Sequence, residues 1–316
     1  MSLKQCLVSF GSNLGTRDTA IATAVRALAD KSQVHDFRVS HLYEAPPIGG
    51  PSGQSSFLNG VAVFDTYSRA REVLGWLQEI EQRLGRERQQ RWAARSIDLD
   101  IVLHGSLVGG GDDLTVPHPR YTARRFVLRP ACDIAPGYRD PRFGWTLKQL
   151  ADHLDGGNPS FALAGGDEAT RTELCRILHA QHGICTFQAA PLAKPMAVIG
   201  TAPLAHRKTT DFQTQTIIDI PDDNTRWVSA FVPALPAPEA AEARARSTPR
   251  LIARVQWTQP EQRWPAPERI WRSSLNWPEY RLEVNDLVWA AGELAAALDS
   301  MRCPLVSISN DQDWWR

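Results

Sequence analysis

Two aspartates that alternate with aliphatic residues are the side chains of this sequence best suited to bind a metal ion. Asp98 and Asp100 lie in the segment Ile97-Asp-Leu-Asp-Ile-Val-Leu103, whose alternation predicts a strand with both carboxylates on one face, about 7 Å apart, and the aliphatic side chains in the core. Two such carboxylates repel each other unless a proton or a cation lies between them. Magnesium prefers a few carboxylate oxygens together with the phosphate oxygens of a substrate. The pair therefore indicates a site for magnesium and a polyphosphate.

A cluster of arginines lies directly before this predicted strand. Between Arg83 and Arg95 the sequence has five arginines against the single acid Glu87, whereas the whole chain balances 35 basic residues with 35 acidic ones. Guanidinium groups pair with phosphate oxygens in a fork geometry, so the cluster suits the remaining phosphate charge. An isolated Asp-x-Asp is more often a solvated strand edge, and the interpretation as a metal and polyphosphate site depends on the two features together.

These features resemble the 6-hydroxymethyl-7,8-dihydropterin pyrophosphokinase family. The resemblance covers residues 5–154 and includes, besides the arginines and the aspartate pair, Gly11-Ser-Asn-Leu14, Ala45-Pro-Pro-Ile-Gly49, Phe57-Leu-Asn59, Leu114-Thr-Val-Pro-His-Pro119 and Arg124-Arg-Phe-Val-Leu128. It implies a diphosphokinase of folate biosynthesis, which transfers a pyrophosphoryl group from ATP to the hydroxymethyl group of the pterin and releases AMP. ATP as co-substrate and Mg²⁺ follow from the same resemblance.

The resemblance also implies roles for individual residues. The groups that act on the transferred phosphates are Arg86, Arg95, Asp98 and Asp100, with Asp98 and Asp100 as the magnesium ligands. The residues implied in ATP binding are Arg88, Arg91, Trp92, His118 and Arg124. The residues implied in pterin binding are Ala45, Pro46, Pro47, Phe57, Asn59, Trp92, Asp98 and Phe126. Arg91 and Trp92 belong to a mobile lid, in which Ala93-Ala94 replaces the usual Gly-Pro of the family.

Composition and length predict a globular protein with two domains. The chain has 316 residues, of which 43% are hydrophobic, and zero formal net charge, which argues against a general binder of nucleic acid or of membrane surfaces. Five scattered cysteines without a Cys-x-x-Cys pair are typical of reduced thiols in the cytoplasm. No apolar run reaches the length of a membrane span. We therefore expect a cytoplasmic protein with small-molecule substrates.

The order of predicted elements indicates the fold class. Residues 1–155 read as strand, helix, strand, strand, helix, strand and a last helix, which favours an α+β ferredoxin-like sandwich with helices on one face. The strands are predicted over 6–10, 34–43, 57–64 and 97–103, and the helices over 16–30, 68–85 and 146–154. Residues 156–160 read as a linker, and residues 161–316 as a second α/β domain of unknown role.

The second half offers one candidate motif. Gly165-Gly-Asp-Glu-Ala-Thr170-Arg171 lies between a predicted strand and a predicted helix, the position of a phosphate-binding P-loop, and resembles a degenerate nucleoside kinase loop. A P-loop needs glycine and lysine where Thr170 and Arg171 stand, so a helix cap is the favoured interpretation.

Two compositional features of the second half predict a mobile segment and an interface, and neither indicates a catalytic site. Residues 233–249, rich in alanine, proline and charge, are expected to form a mobile excursion. Eight of the eleven tryptophans lie between 227 and 315, which suggests an interface between domains or between the subunits of a homo-oligomer.

Two alternative interpretations stay open at this point. A ferredoxin-like sheet with arginines and aromatic residues is also typical of non-enzymatic nucleotide- or RNA-binding modules, although carboxylates on the binding face repel phosphate unless a metal intervenes. The second half is interpreted best as a structural or regulatory partner without chemistry of its own. Magnesium-dependent release of AMP on addition of the pterin separates the enzyme from the RNA binder.

Overall fold

The computed structural model describes residues 2–86, 94–111, 113–188, 220, 222, 224–237, 240–258 and 276–316. Arg88, implied in ATP binding, and the lid residues Arg91, Trp92 and Ala93 lie outside the described residues. The sequence of the second half also predicts strands over 196–199 and 216–220, and apart from Ile220 these too lie outside the described residues. Among the described helices, none is long and apolar enough to cross a membrane.

The first half is built on an antiparallel sheet. Its strands are β1 (Lys4–Ser12), β2 (His35–Val39), β3 (Tyr43–Ala45), β4 (Phe57–Thr66) and β5 (Asp98–His104), followed by a separate small pair, β6 (Gly109–Gly110) and β7 (Thr115–Val116). β1 lies between β4 and β5, and both β2 and β3 pair with β4. The single strand predicted over 34–43 is wrong because the pairing is interrupted at Ser40, whose buried hydroxyl accepts a hydrogen bond from Val61 N (3.0 Å).

Helices cover both faces of this sheet. α1 (Arg17–Ala29) and α2 (Ala70–Arg83) bury their periodic apolar residues, such as Val25 and Leu77, against the β1 face of Cys6, Val8 and Phe10. α3 (Arg125–Ile134) and α4 (Leu147–Asp155) cover the opposite face. The ferredoxin-like α+β prediction is confirmed, but the helices are not confined to one face. α3 was not predicted, because Pro130 lies inside it.

The second half contains a parallel sheet of five strands, which confirms the predicted α/β class. These strands are β8 (Ser160–Ala164), β9 (Cys185–Phe187), β10 (Trp227–Ser229), β11 (Leu251–Trp257) and β12 (Glu279–Val284). Their order in the sheet is β12-β11-β8-β10-β9. Two long helices accompany them, α5 (Glu168–His182) and α6 (Leu287–Met301). The last strand, β13 (Val306–Ser307), was expected in this domain but pairs antiparallel with β3 in the first sheet.

One apolar core joins the two halves. It contains residues from β1, β4, α3 and α4 together with residues from β8, β11, β12, α5 and α6. Residues 156–160, predicted to be a linker, are partly buried: Asn158 Nδ2 donates to the carbonyls of Asp222 (2.6 Å) and Thr225 (2.9 Å). In the predicted mobile excursion, Ala243 and Thr248 are buried. Both segments therefore pack against the body of the molecule.

The described tryptophans of the second half mostly serve contacts within the chain. Trp227 and Trp277 are fully buried. Trp314 lies 6.1 Å from the ring of Phe10 and donates to the carbonyl of Ser40 (2.9 Å), and Trp315 packs on the same first-half core. Contacts between the two halves thus account for Trp277, Trp314 and Trp315, whereas Trp227 packs within the second half.

Candidate active site

The aspartate pair lies on β5, the strand at one end of the first sheet, which pairs with β1. Asp98 pairs with Gly11 and Asp100 with Ser9 across β1 and β5. The predicted alternation is confirmed, since Ile97, Leu99 and Ile101 are buried while the two aspartate side chains keep 21% and 38% of their surface exposed. Both carboxylates belong to the wall of one cavity. Their placement on rigid strand backbone fixes the separation that a shared cation requires.

Arginines from the predicted cluster contact Asp98 directly. Arg86 Nη2 lies 2.5 Å from one carboxylate oxygen, and Arg95 Nη1 lies 2.5 Å from the other. Arg86 also pairs with Glu81 of α2, which is buried and accepts a hydrogen bond from Leu99 N (2.8 Å). Burial, assisted by the nearby aspartates, raises the pKa of Glu81 to about 6, although Arg86 and the Leu99 amide oppose the rise. Glu81 therefore faces the arginines and is not a solvated surface residue.

Arg95 is held in place by a residue that the sequence interpretation quoted without assigning a role. Asn13, from the Gly11-Ser-Asn-Leu14 turn, accepts a hydrogen bond from Arg95 N through its side-chain oxygen (2.9 Å), and its own backbone N donates to the Arg95 carbonyl (3.2 Å). Its amide nitrogen donates to Gln54 (3.1 Å) in the proline-rich loop. Asn13 thus connects the arginine segment to the loop on the other side of the cavity.

The second group of cations comes from the segment 117–124, which follows β7. His118 N donates to the carbonyl of Val102 on β5 (2.9 Å), and Arg120 N donates to His118 Nδ1 (3.1 Å). Burial and the neighbouring guanidinium groups of Arg124 and Arg120 lower the pKa of His118 well below its ordinary value. The imidazole is therefore neutral with its proton on Nε2, which lies 3.8 Å from Asp100, as does Arg124 Nη1.

The described residues implied in pterin binding meet in the same cavity, with the exception of Pro47, while Trp92 lies outside the described residues. Ala45, Pro46, Phe57, Asn59 and Phe126 line it together with Asp98, whereas Pro47 does not, and Ile48 and Gly49 line it next to Pro46. The ring of Phe126 lies 5.9 Å from the Arg124 guanidinium carbon. Gly11 leaves room for the amide, because a Cβ there would lie 3.1 Å from Asn59 Oδ1. Aromatic faces and a buried amide therefore meet beside the carboxylates.

Part of the cavity wall comes from the second half and was missed by the sequence interpretation. Five residues of β12 and α6 form this part of the wall: Tyr280, Glu293, Ala296, Ala297 and Ser300. Arg120, from the 117–124 segment of the first half, lines the cavity beside them. The sequence did contain an indication that α6 contributes to a site, since Glu293 is the only charged residue between 287 and 298. A carboxylate inside an otherwise apolar helix needs a partner when it is buried.

The donor set at Asp98 and Asp100 fits magnesium. Hard cations take carboxylate oxygens, and magnesium typically uses one or two of them together with substrate phosphates. Within the described residues no group of three or more histidine, cysteine or acidic side chains could hold a metal by itself. The pair thus suits an ion that arrives with a polyphosphate rather than a site closed by protein ligands.

The glycine turn of the second half is a helix cap, as the favoured interpretation predicted. Asp167 Oδ1 accepts from Thr170 N (2.6 Å) at the start of α5. Arg171 donates to the carbonyls of Gly165 (2.9 Å), Gly166 (3.1 Å) and Ala230 (2.8 Å). The guanidinium group is directed at carbonyl oxygens and a carboxylate lies at the turn, an arrangement that does not resemble a phosphate cradle.

Comparisons with known proteins bear on the first half of the chain. A family model described as 7,8-dihydro-6-hydroxymethylpterin-pyrophosphokinase (HPPK) matches residues 7–136. The 2-amino-4-hydroxy-6-hydroxymethyldihydropteridine pyrophosphokinase of Haemophilus influenzae is 35% identical over 149 residues, which are 46% of this chain and 92% of that protein. The protein of the same name from Pseudomonas aeruginosa is 40% identical over 139 residues, 44% of this chain and 85% of that protein.

A solved structure is also similar at a lower level. The crystal structure of an HPPK-DHPS in complex with substrates aligns with 47% of this chain and 43% of that chain, at 14% identity and a TM-score of 0.37. This similarity is too weak to bear on the fold of the second half.

Proposed function

Because the chain belongs to the 7,8-dihydro-6-hydroxymethylpterin-pyrophosphokinase family, we propose that Asp98 and Asp100 are the centre of its active site. The reaction of this site is pyrophosphoryl transfer to the hydroxymethyldihydropterin of folate biosynthesis. The observation that supports this proposal is the position of both carboxylates in the cavity that Phe57, Asn59 and Phe126 also line. The substrates, ATP and the pterin, thus meet at the carboxylate pair.

Pyrophosphoryl transfer requires the protein mainly to position the two substrates and to neutralise the charge of the phosphates. The hydroxymethyl oxygen of the pterin attacks the β-phosphorus of ATP, the bond between the β-phosphorus and the oxygen that links it to the α-phosphate breaks, and AMP leaves. Phe57 and Phe126 hold the flat ring, Asn59 pairs with its donor and acceptor edge, and Asp98 lies beside the reacting hydroxyl. These contacts fix the direction of attack.

Phosphate charge is met from two sides of the cavity. Arg86 and Arg95 approach from the Asp98 side, and His118 and Arg124 approach from the Asp100 side. Asp98 and Asp100 would hold magnesium, which neutralises the triphosphate and bridges it to the protein. Three residues outside the described residues are assigned on the family resemblance: Arg88 to ATP binding, and Arg91 and Trp92 to the closing lid.

The test is release of AMP from ATP on addition of 6-hydroxymethyl-7,8-dihydropterin, with and without EDTA. We expect Asp100→Asn to lower kcat at least about a hundredfold, since an interaction made with transferring phosphate accounts for several kcal/mol of the barrier. Asp113→Asn is the matched control, because Asp113 is an exposed aspartate paired with Arg71 (3.2 Å) away from the cavity. Wild-type turnover by Asp100→Asn, or full activity in EDTA, contradicts the metal assignment.

The RNA-binding alternative has no comparable support. The cavity wall presents two aspartates, Asp98 and Asp100, and without a metal these repel a nucleic-acid backbone. Family membership assigns the sheet to an enzyme.

A further inference from the structure

The segment that carries His118 and Arg124 lies between the two halves of the chain. Arg281 N, on the edge strand β12 of the second sheet, donates to the carbonyl of Pro119 (3.1 Å). The hydroxyl of Thr122 donates to the carbonyl of Glu279 on the same strand (2.8 Å). The second half therefore supplies backbone contacts to the 117–124 segment, which is the ATP side of the proposed site.

A buried ion pair completes this connection. Arg120 donates to Glu293 of α6 through Nε (2.6 Å) and Nη2 (3.2 Å), and the hydroxyl of Tyr280 donates to Glu293 Oε1 (3.1 Å). The Glu293 side chain is 2% exposed and the Arg120 side chain 19%. A two-point contact of this kind holds a guanidinium group in one orientation. Glu293 and Tyr280 thus fix Arg120 at the cavity wall.

Arg120 is connected directly to residues of the proposed site. The backbone N of Arg120 is the donor to His118 Nδ1, and Arg124 lies four residues further along the same short segment. Tyr280, Glu293 and Arg120 all line the cavity that contains Asp98 and Asp100. The ion pair is therefore joined, through Arg120, to the backbone of the segment that carries His118 and Arg124.

We propose that Glu293 of the second half is a positioning residue for the pyrophosphokinase site, acting through Arg120 to set the 117–124 segment for MgATP. The second half is on this account one wall of the active site. The proposal rests on the function assigned above, because His118 and Arg124 are ATP contacts only within that function. It gives residues 161–316 a role in the reaction without a substrate or a cofactor of their own.

The ion pair also joins the two halves, so the test must separate positioning from stability. Glu293→Gln leaves the Arg120 charge buried without its counter-ion and is expected to destabilise the fold. The double variant Arg120→Met/Glu293→Met removes both charges at similar volume, a replacement that proteins often tolerate. Arg120→Met alone completes a double-mutant cycle. Asp299→Asn is the matched control, because Asp299 lies on the same helix and pairs with Arg226 at the surface (2.5 Å).

The measurement is steady-state kinetics of each full-length variant with MgATP and 6-hydroxymethyl-7,8-dihydropterin, together with its melting temperature. We expect the double variant to melt near the wild type but to show a KM for MgATP raised about tenfold, the effect of a lost charge-assisted contact, with the KM for the pterin within about twofold. Because Glu293 acts through Arg120, the double variant and Arg120→Met should have the same KM for MgATP. Asp299→Asn should match the wild type in both constants.

The outcomes distinguish the two levels of inference. A wild-type chain that releases no AMP contradicts the proposed function itself. An active wild type whose folded double variant keeps the wild-type KM for MgATP shows that the pair only joins the halves, and the positioning role is then wrong. Equal increases in the two KM values also overturn it, since they indicate a general distortion of the cavity.

Discussion

At the scale of single residues, Asp98 contacts two cationic side chains, Arg86 and Arg95. Both of its oxygens contact arginines at 2.5 Å, whereas the Arg124 guanidinium and the neutral His118 ring lie 3.8 Å from Asp100. These two contacts hold the Asp98 carboxylate in one orientation at the cavity wall. We expect the arginines to exchange Asp98 for phosphate oxygens when the cation binds, so that charge is moved rather than newly buried.

Glu81 gives this cluster a pH dependence that can be measured. Its folded-state pKa, about 6, lies above the ordinary 4.5, so the folded protein holds the proton more tightly than the unfolded chain. The associated stability is fully present below about pH 4.5 and is lost as the pH rises through 6. The difference of about 1.5 units corresponds to roughly 2 kcal/mol.

We therefore expect the free energy of unfolding of the wild type to fall by about that amount, relative to Glu81→Gln, between pH 4.5 and pH 7. Urea unfolding of both proteins across this range is the measurement. The comparison uses the slopes with pH, so a constant loss of stability in the variant does not affect it. Parallel curves would contradict the assignment of a raised pKa to Glu81.

Asn13 holds Arg95 beside the aspartates, a role that the sequence interpretation did not assign to it. Asn13→Ala removes the acceptor of Arg95 N and leaves a partly buried donor without this hydrogen bond, which costs about 1 kcal/mol of stability. We expect kcat/KM to fall about tenfold as well, because Arg95 is no longer fixed beside Asp98. Asn224→Ala, at an exposed asparagine, is the control. Unchanged kinetics in Asn13→Ala would show that Arg95 is held sufficiently by its other contacts.

At the scale of elements, the site is assembled from strand ends and from one irregular segment. β5 and β1 supply the rigid floor, while the 117–124 segment is fixed by Val102 on one side and by β12 on the other. Tyr121 of this segment donates a hydrogen bond from its hydroxyl to Asp140 (2.6 Å), and both residues are buried. This bond is a third contact that holds the segment. Such a segment has little freedom of its own, which is what the alignment of several phosphate contacts requires.

The start of α5 offers an element-scale test of the helix-cap interpretation. Asp167→Ala removes the acceptor for Thr170 N, and we expect a melting temperature lower by about 3 °C, the usual effect of a lost N-cap in a chain of this size. The KM for MgATP should not change, because the turn binds no phosphate. The measurements are a thermal melt and steady-state kinetics. A stable variant with a raised KM for MgATP would instead support the P-loop interpretation.

At the scale of the whole molecule, the two sheets share one core. Leu7 of β1 and Leu150 of α4 belong to the same buried cluster as Leu163 of β8 and Leu298 of α6. Trp145 of the first half lies 5.5 Å from Trp277 of the second, with His153 5.0 and 5.1 Å from the two rings. The α3 and α4 side of the first half and the second half bury their apolar surface against each other, so the chain is expected to unfold as one cooperative unit.

Leu298→Ala tests this cooperativity, because it leaves a cavity in the second half only. We expect a loss of about 2–5 kcal/mol in the free energy of unfolding, felt equally in both halves. Native-state hydrogen exchange of the β1 and β11 amides is the measurement, and both sets should lose the same protection. Loss confined to β11, or two separate transitions in calorimetry, would show that the halves unfold independently.

The sequence by itself determined the features that depend on near neighbours. The alternation around Asp98 and Asp100 gives their common face, and the sequence gives α1, α2 and α4 to within a few residues, because side-chain direction follows a period of 2 or 3.6 along the backbone. The resemblance supplied the residues that meet in the cavity, although Pro47 lies outside its wall.

Only the tertiary structure decided the contacts between distant parts of the chain. Asn13 and Arg95 are 82 positions apart, Arg120 and Glu293 are 173 apart, and β13 joins the sheet of the opposite half. No local period encodes such pairs, since they follow from burying both halves in one core. That burial brought a lone carboxylate of α6 to an arginine beside the site, and so made the second half a wall of the first half's cavity.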